Sequence, residues 1–190
     1  THCGYPSLTT INDWGLVGDA LLRHPRIARV LSCLSGEGDK NAANLSAPLS
    51  GLKTVLLNVT HVFGMDAFKS TGLTYEQFNE ALQSLFVRLG VHLVRLGYRV
   101  LLMPFHPNSE AESRATSRVR EKICAQITQE QQRRQVVVQT DYLGVLSAMD
   151  ALKHVHIAVG VRLHCTVLCH AFGVPTVHLA YGVKGLNYAL

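Results

Sequence analysis

From Lys53 onward the apolar positions follow two rhythms, short unbroken runs and longer stretches that repeat every three or four residues. Thr54–Val59 is an unbroken run, as expected of a strand buried on both faces. Thr74 with Gln77 three residues on is a capping-box signature, and Phe78, Leu82, Leu85, Leu89, Leu93 and Leu96 follow at helical spacing up to Gly97. Arg99–Met103 predicts a second strand, stopped by Pro104. Ser109 with Glu112 predicts a second capping box, ahead of Ala111, Ala115, Val119, Ile123 and Ile127 on one helical stripe. Val136–Val138 is a third strand, and Asp141 caps a helix running to about Leu152. Val155–Val159 is a fourth strand, Arg162 to Phe172 a helix closed by Gly173, and Pro175–Leu179 a fifth strand entered through proline.

Strand and helix alternate throughout this region. The pattern predicts an α/β fold, a Rossmann-like parallel sheet with helices on both faces, because right-handed crossovers place them there. Residues 1–52 differ. They are rich in Gly, Pro, Ser and Asn, and read as a loop, a helical piece and a linker ahead of a domain at 53–190. Ligands of such sheets bind at the carboxyl ends of the strands. The loops that matter are therefore those after Val59, Met103, Val138, Val159 and Leu179.

Composition narrows the picture. With 47% hydrophobic and 16% charged residues over 190 positions, the chain reads as globular. No apolar run approaches the roughly 18–20 residues of a membrane span. The net charge of +5 favours an anionic ligand only weakly, since much of it lies between Arg114 and Arg134 and reads as a solvated helix face. No motif or basic stripe interleaved with aromatics points to nucleic acid. Five irregularly spaced cysteines suit buried thiols in a reducing, cytoplasmic compartment. A secretory lumen would require a leader upstream of Thr1, and a start at Thr rather than Met suggests a fragment or a processed chain. Asn44 and Asn58 head sequons, but Asn58 ends an apolar strand and makes a poor glycan site.

The polar residues with chemical potential fall in the strand-end loops. Gly160 lets the chain turn after the fourth strand, and Arg162 and His164 follow in the first turn of the next helix. Free N–H groups and the positive end of the helix dipole favour an anion there. A cationic side chain at that end makes sense if a phosphate or carboxylate offsets the repulsion, and arginine grips such groups with two parallel bonds. Lys184 offers a second cation. His61 and His106 offer donors or proton carriers from neighbouring strands. His154 and His156 share a strand face and Cys165 and Cys169 are one helical turn apart, but the cysteines suit an apolar packing face better than zinc, and no metal or other cofactor is expected. There is no P-loop, no nucleophile elbow and no glycosidase-type carboxylate pair.

The stretch from Ile157 to Gly185 resembles the C-terminal signature of the polysaccharide pyruvyl transferase family. It reads V-G-V-R-L-H, then A-F-G-V-P-T-V-H-L-A-Y-G-V-K-G. L-L-M-P-F-H at 101–106 is similar to that family's strand ending in Pro-His, and Gly4 to Leu8 is loosely similar to a Pro-Ser-Leu element near its domain junction. The resemblance implies one half of a GT-B fold, the C-terminal donor-binding half, with an N-terminal sugar-binding domain missing and the last helix cut short at Leu190. It implies transfer of pyruvate from phosphoenolpyruvate onto a sugar hydroxyl pair as a ketal. Arg162 would hold carboxylate or phosphate, His164 would bind phosphate or move a proton, and Lys184, His106 and His61 would line the donor pocket. Two other readings stand beside it. One is a GT-B glycosyltransferase using a nucleotide sugar, although Tyr181–Leu190 offers no ribose-binding carboxylate. The other is a non-catalytic fragment that binds phosphorylated ligands.

Overall fold

The computed structural model describes residues 51–62, 72–106, 109–139, 151–181, 185 and 188. The first strand, β1 (Thr54–Asn58), is buried at every position, as its unbroken apolar run requires. Helix α1 (Tyr75–Arg95) opens on the expected capping box. Thr74 Oγ1 accepts from Gln77 N–H at 3.3 Å, and Gln77 Oε1 accepts from Thr74 N–H at 2.9 Å. Gly97, at φ 83°, takes the left-handed conformation that ends the helix, a conformation costly for any side-chain-bearing residue. Strand β2 (Arg99–Leu102), helix α2 (Glu110–Ala125), a short helix α3 (Glu130–Arg133) that the apolar pattern does not reveal, and β3 (Val136–Val138) follow. Then come β4 (Val155–Gly160), α4 (Leu163–Ala171) and β5 (Thr176–His178). Most of the helix expected from Asp141 to Leu152 lies outside the described residues, as do the segment before Gly51 and Lys184.

The five strands are all parallel, in the order β3-β2-β1-β4-β5. This is the doubly wound order, and the chain reverses direction across the sheet between β1 and β4. The alternation along β1 sorts the core. Val55, Leu57 and Val59 face one layer with α1 and α2, while Leu56 faces the other with Leu152 and with Cys165 and Cys169 of α4. Helices thus cover both faces, as alternation predicts. Full burial of side chains such as Phe78, Phe86, Leu82 and Leu93 contributes roughly 1.5–3 kcal/mol each. Helices α1 and α2 approach so closely that a Cβ on Gly90 would collide with the Ile123 side chain.

The β1–β4 register slips by one residue after Thr54, leaving His156 unmatched. Its ring fills the gap in the ladder, with Nδ1 accepting from Thr54 N–H at 3.1 Å. His156 and the exposed His154 therefore sit where β4 begins. Cys165 and Cys169 are buried beneath α4. Among the described residues no three His, Cys, Asp or Glu side chains converge on a metal position.

Candidate functional site

Four segments meet where β1, β2 and β4 end. Their centre is Glu112 of α2, whose side chain is closed off from solvent entirely. Its Oε1 accepts from Phe105 N–H at 2.7 Å and from Asn58 Nδ2 at 3.5 Å. Its Oε2 accepts from Thr60 Oγ1 at 3.1 Å and from Arg162, whose Nε lies at 3.0 Å and Nη2 at 2.9 Å. Asn58 ties the knot to the backbone. Its Nδ2 donates to Met103 O at 3.0 Å and its Oδ1 accepts from Arg162 N–H at 3.0 Å. Burying a charge is tolerable only with such compensation. The fully buried Asn58 amide is thereby consumed, consistent with its being a poor glycan acceptor.

Sequence reasoning located Arg162 correctly at the mouth of α4 but missed what holds it. Arg162 is the N-cap rather than a first-turn residue, with extended backbone and no side-chain bond to the helix. Its side chain turns away toward Glu112. The second capping box is half formed. Ser109 Oγ accepts from Glu112 N–H at 3.2 Å, but Ser109 N–H donates to His106 O while the Glu112 carboxylate points inward. The signal was there to be read. Glu112 precedes Ala115, Val119 and Ile123 at the intervals of the buried stripe, so a carboxylate occupies a core position. Gly160 also has a different reason from the one expected. It has no positive φ, but a Cβ there would lie 2.9 Å from Cys165 Sγ, so glycine allows α4 to close onto β4.

His61 and His106 lie on the same edge as the knot, being chain neighbours of Thr60 and Phe105. His61 is half-buried, edge-on to the Tyr75 ring with centroids 5.3 Å apart. Burial, then the Arg118 and Arg114 guanidinium groups, pull its pKa below the ordinary value. Part of the basic stripe of α2 thus faces this loop, although Arg114, Arg118, Arg120 and Lys122 are themselves exposed as a solvated face should be. His106 and His164 are exposed, the latter as the second residue of α4.

His178, not singled out from sequence, ends β5 beside Gly160. Its Nδ1 lies 2.8 Å from Thr166 Oγ1, and among the described residues its buried Nε2 has no hydrogen-bond partner. Burial is the main reason its pKa is lowered, with a smaller push from His170. A histidine whose pKa is depressed by folding binds fewer protons in the native than in the unfolded chain, so stability rises with pH across that interval. The contribution is complete above the ordinary value of 6.5 and is lost as pH falls below it. The melting temperature should therefore drop between pH 7.5 and 5.5, and His178→Asn should flatten that slope. An unchanged slope in calorimetric scans would show that His178 titrates normally.

Residues 48–183 match the family model for polysaccharide pyruvyl transferase. The chain belongs to the polysaccharide pyruvyl transferase family. Searches of curated proteins and of solved structures returned no match. The matched span contains every described element and the whole Glu112–Arg162 knot, so the family assignment and the site refer to the same sheet. Members of this family are transferases, and the family name points to a saccharide acceptor. Among the described residues no helix is long and apolar enough to cross a membrane.

Proposed function

We propose that this chain forms the donor side of a pyruvyl-transfer site. Phosphoenolpyruvate gives its three-carbon unit to two hydroxyls of a sugar as a ketal. In this reaction the methylene carbon gains a proton, the two sugar oxygens bond to the central carbon, and the bond from that carbon to the phosphate oxygen breaks. Of the two hydroxyl protons, one balances the proton taken up by the methyl group and the other leaves with phosphate. Arg162 binds the donor's carboxylate or phosphate and offsets the charge that develops on departure. His164 binds phosphate or moves the proton. Lys184, His106 and His61 supply the remaining donors, and a second, sugar-binding domain completes a GT-B-type cleft.

The observation that carries this reading is a fixed guanidinium at the head of α4, beside the β1–β4 crossover where doubly wound sheets bind ligands. The free N–H groups of the first turn of α4 add to the attraction for an anion. Calorimetric titration of the chain with phosphoenolpyruvate and with a UDP-sugar tests it. Phosphoenolpyruvate should bind, with at least tenfold, still measurable weakening in both His164→Ala and Arg162→Lys. Arg134→Ala should bind normally, because the exposed Arg134 precedes β3 at the opposite end of the sheet. Binding of the UDP-sugar in place of phosphoenolpyruvate would favour a glycosyltransferase instead, and binding of neither would sink the donor role.

A further inference from the structure

We infer that Glu112 is a positioning residue for donor binding, one that selects which edge of the Arg162 guanidinium the ligand meets. The inference rests on the donor-site reading above. A guanidinium has two forked edges, a lateral one formed by Nε and Nη2 and a terminal one formed by Nη1 and Nη2. Glu112 Oε2 occupies the lateral edge, at 3.0 Å from Nε and 2.9 Å from Nη2. Among the described residues the terminal edge has no hydrogen-bond or ion-pair partner beyond the Nη2 contact to Glu112, and a fifth of the Arg162 side chain remains open to solvent while Glu112 is closed off. The geometry therefore presents Nη1 and the second N–H of Nη2 together, the fork that matches two oxygens of a carboxylate or phosphate.

The neighbours of Glu112 make the carboxylate hard to replace. Phe105 N–H, the Asn58 amide N–H, the Thr60 hydroxyl and Arg162 all donate to it. Glutamine offers an acceptor on one side only, so its own N–H groups must face one set of these donors. The arginine then loses its lateral anchor, or the Phe105 loop loses its tie and the arginine moves with it.

This assignment predicts the opposite sign from simple electrostatics. Glu112→Gln removes a negative charge beside an anion site, which by Coulomb attraction alone should tighten binding. Loss of positioning should instead weaken phosphoenolpyruvate binding at least tenfold, measured by calorimetry on the folded variant. The Glu112→Gln/Arg162→Lys double variant should bind no more weakly than Arg162→Lys alone, because the two residues act through one contact. Glu112→Asp, which keeps the charge but is one methylene short, should also weaken binding and serves if the glutamine variant does not fold. Unchanged or tighter binding in either variant overturns the proposal. NMR of the arginine side chains separates its failure from that of the donor role. The Arg162 Nε–H signal should exchange slowly in the native chain and rapidly in Glu112→Gln, whatever the ligand. A native chain that lacks a protected Nε–H refutes the positioning itself. A protected signal with no phosphoenolpyruvate binding refutes the donor role, and the ligand-presenting half of the proposal with it.

Discussion

Arg162→Ala is expected to destabilise the fold by about 3–5 kcal/mol, a larger effect than loss of a surface ion pair produces. The cause lies in Glu112. Removing the guanidinium leaves a carboxylate with no solvent exposure and no countercharge, held only by Phe105 N–H, Thr60 and Asn58. The lower end of the range applies, because a fifth of the Arg162 side chain already touches water and its removal opens a path for solvent to Glu112. For a chain of this size a loss of about 3 kcal/mol lowers the melting temperature by roughly 6–12 °C. Adding Glu112→Gln to Arg162→Ala should restore part of the loss, since the stranded charge is gone. A melting temperature for Arg162→Ala within a degree of the native value would mean that the pair contributes nothing to the fold. Binding experiments on this variant therefore belong well below its midpoint, and Arg162→Lys, which keeps a cation near Glu112, is the better probe of ligand recognition.

Phe86→Ala should cost about 3–5 kcal/mol, through lost transfer free energy and the cavity left behind. Phe86 has no solvent exposure and lies in the layer between the sheet and α1 and α2, where neighbours are backed by other buried side chains and cannot collapse inward freely. Leu96→Ala is the informative comparison. Leu96 lies on the helical stripe legible in the sequence, but it is the C-cap of α1 and 53% exposed, so its truncation should cost under about 1 kcal/mol. Urea denaturation of the two variants decides the order. Equal costs would mean that α1 packs by its sequence stripe rather than by the wider face it presents in the fold.

That comparison shows where periodicity stops being informative. Helix α1 contacts both the sheet and α2, so Val87, Val91 and Val94 are buried along with the residues of the stripe. A single stripe describes a helix with one partner. The same limit applies at the site. Arg162 and His164 were legible because a glycine-ended strand followed by a helix start is a local feature. Thr60, Phe105 and Glu112 were not, because they come from three other segments and meet Arg162 only through the crossover. His178 was missed for a related reason. It reads as an ordinary strand residue until Gly160 and Thr166 are seen beside it.

By itself the sequence determined the alternation of strands and helices, the caps at Thr74 and Gly97, the parallel α/β class and the family. These depend on spacing within a few residues or on motifs that are contiguous along the chain. Only the tertiary structure decided the strand order, the burial of Glu112 and the direction of the Arg162 side chain. A carboxylate and a guanidinium fifty residues apart carry no local sign of their pairing. Packing between β1, β2, β4 and α2 excludes water from the space between them, and in that excluded space the charge of one side chain fixes the orientation of the other.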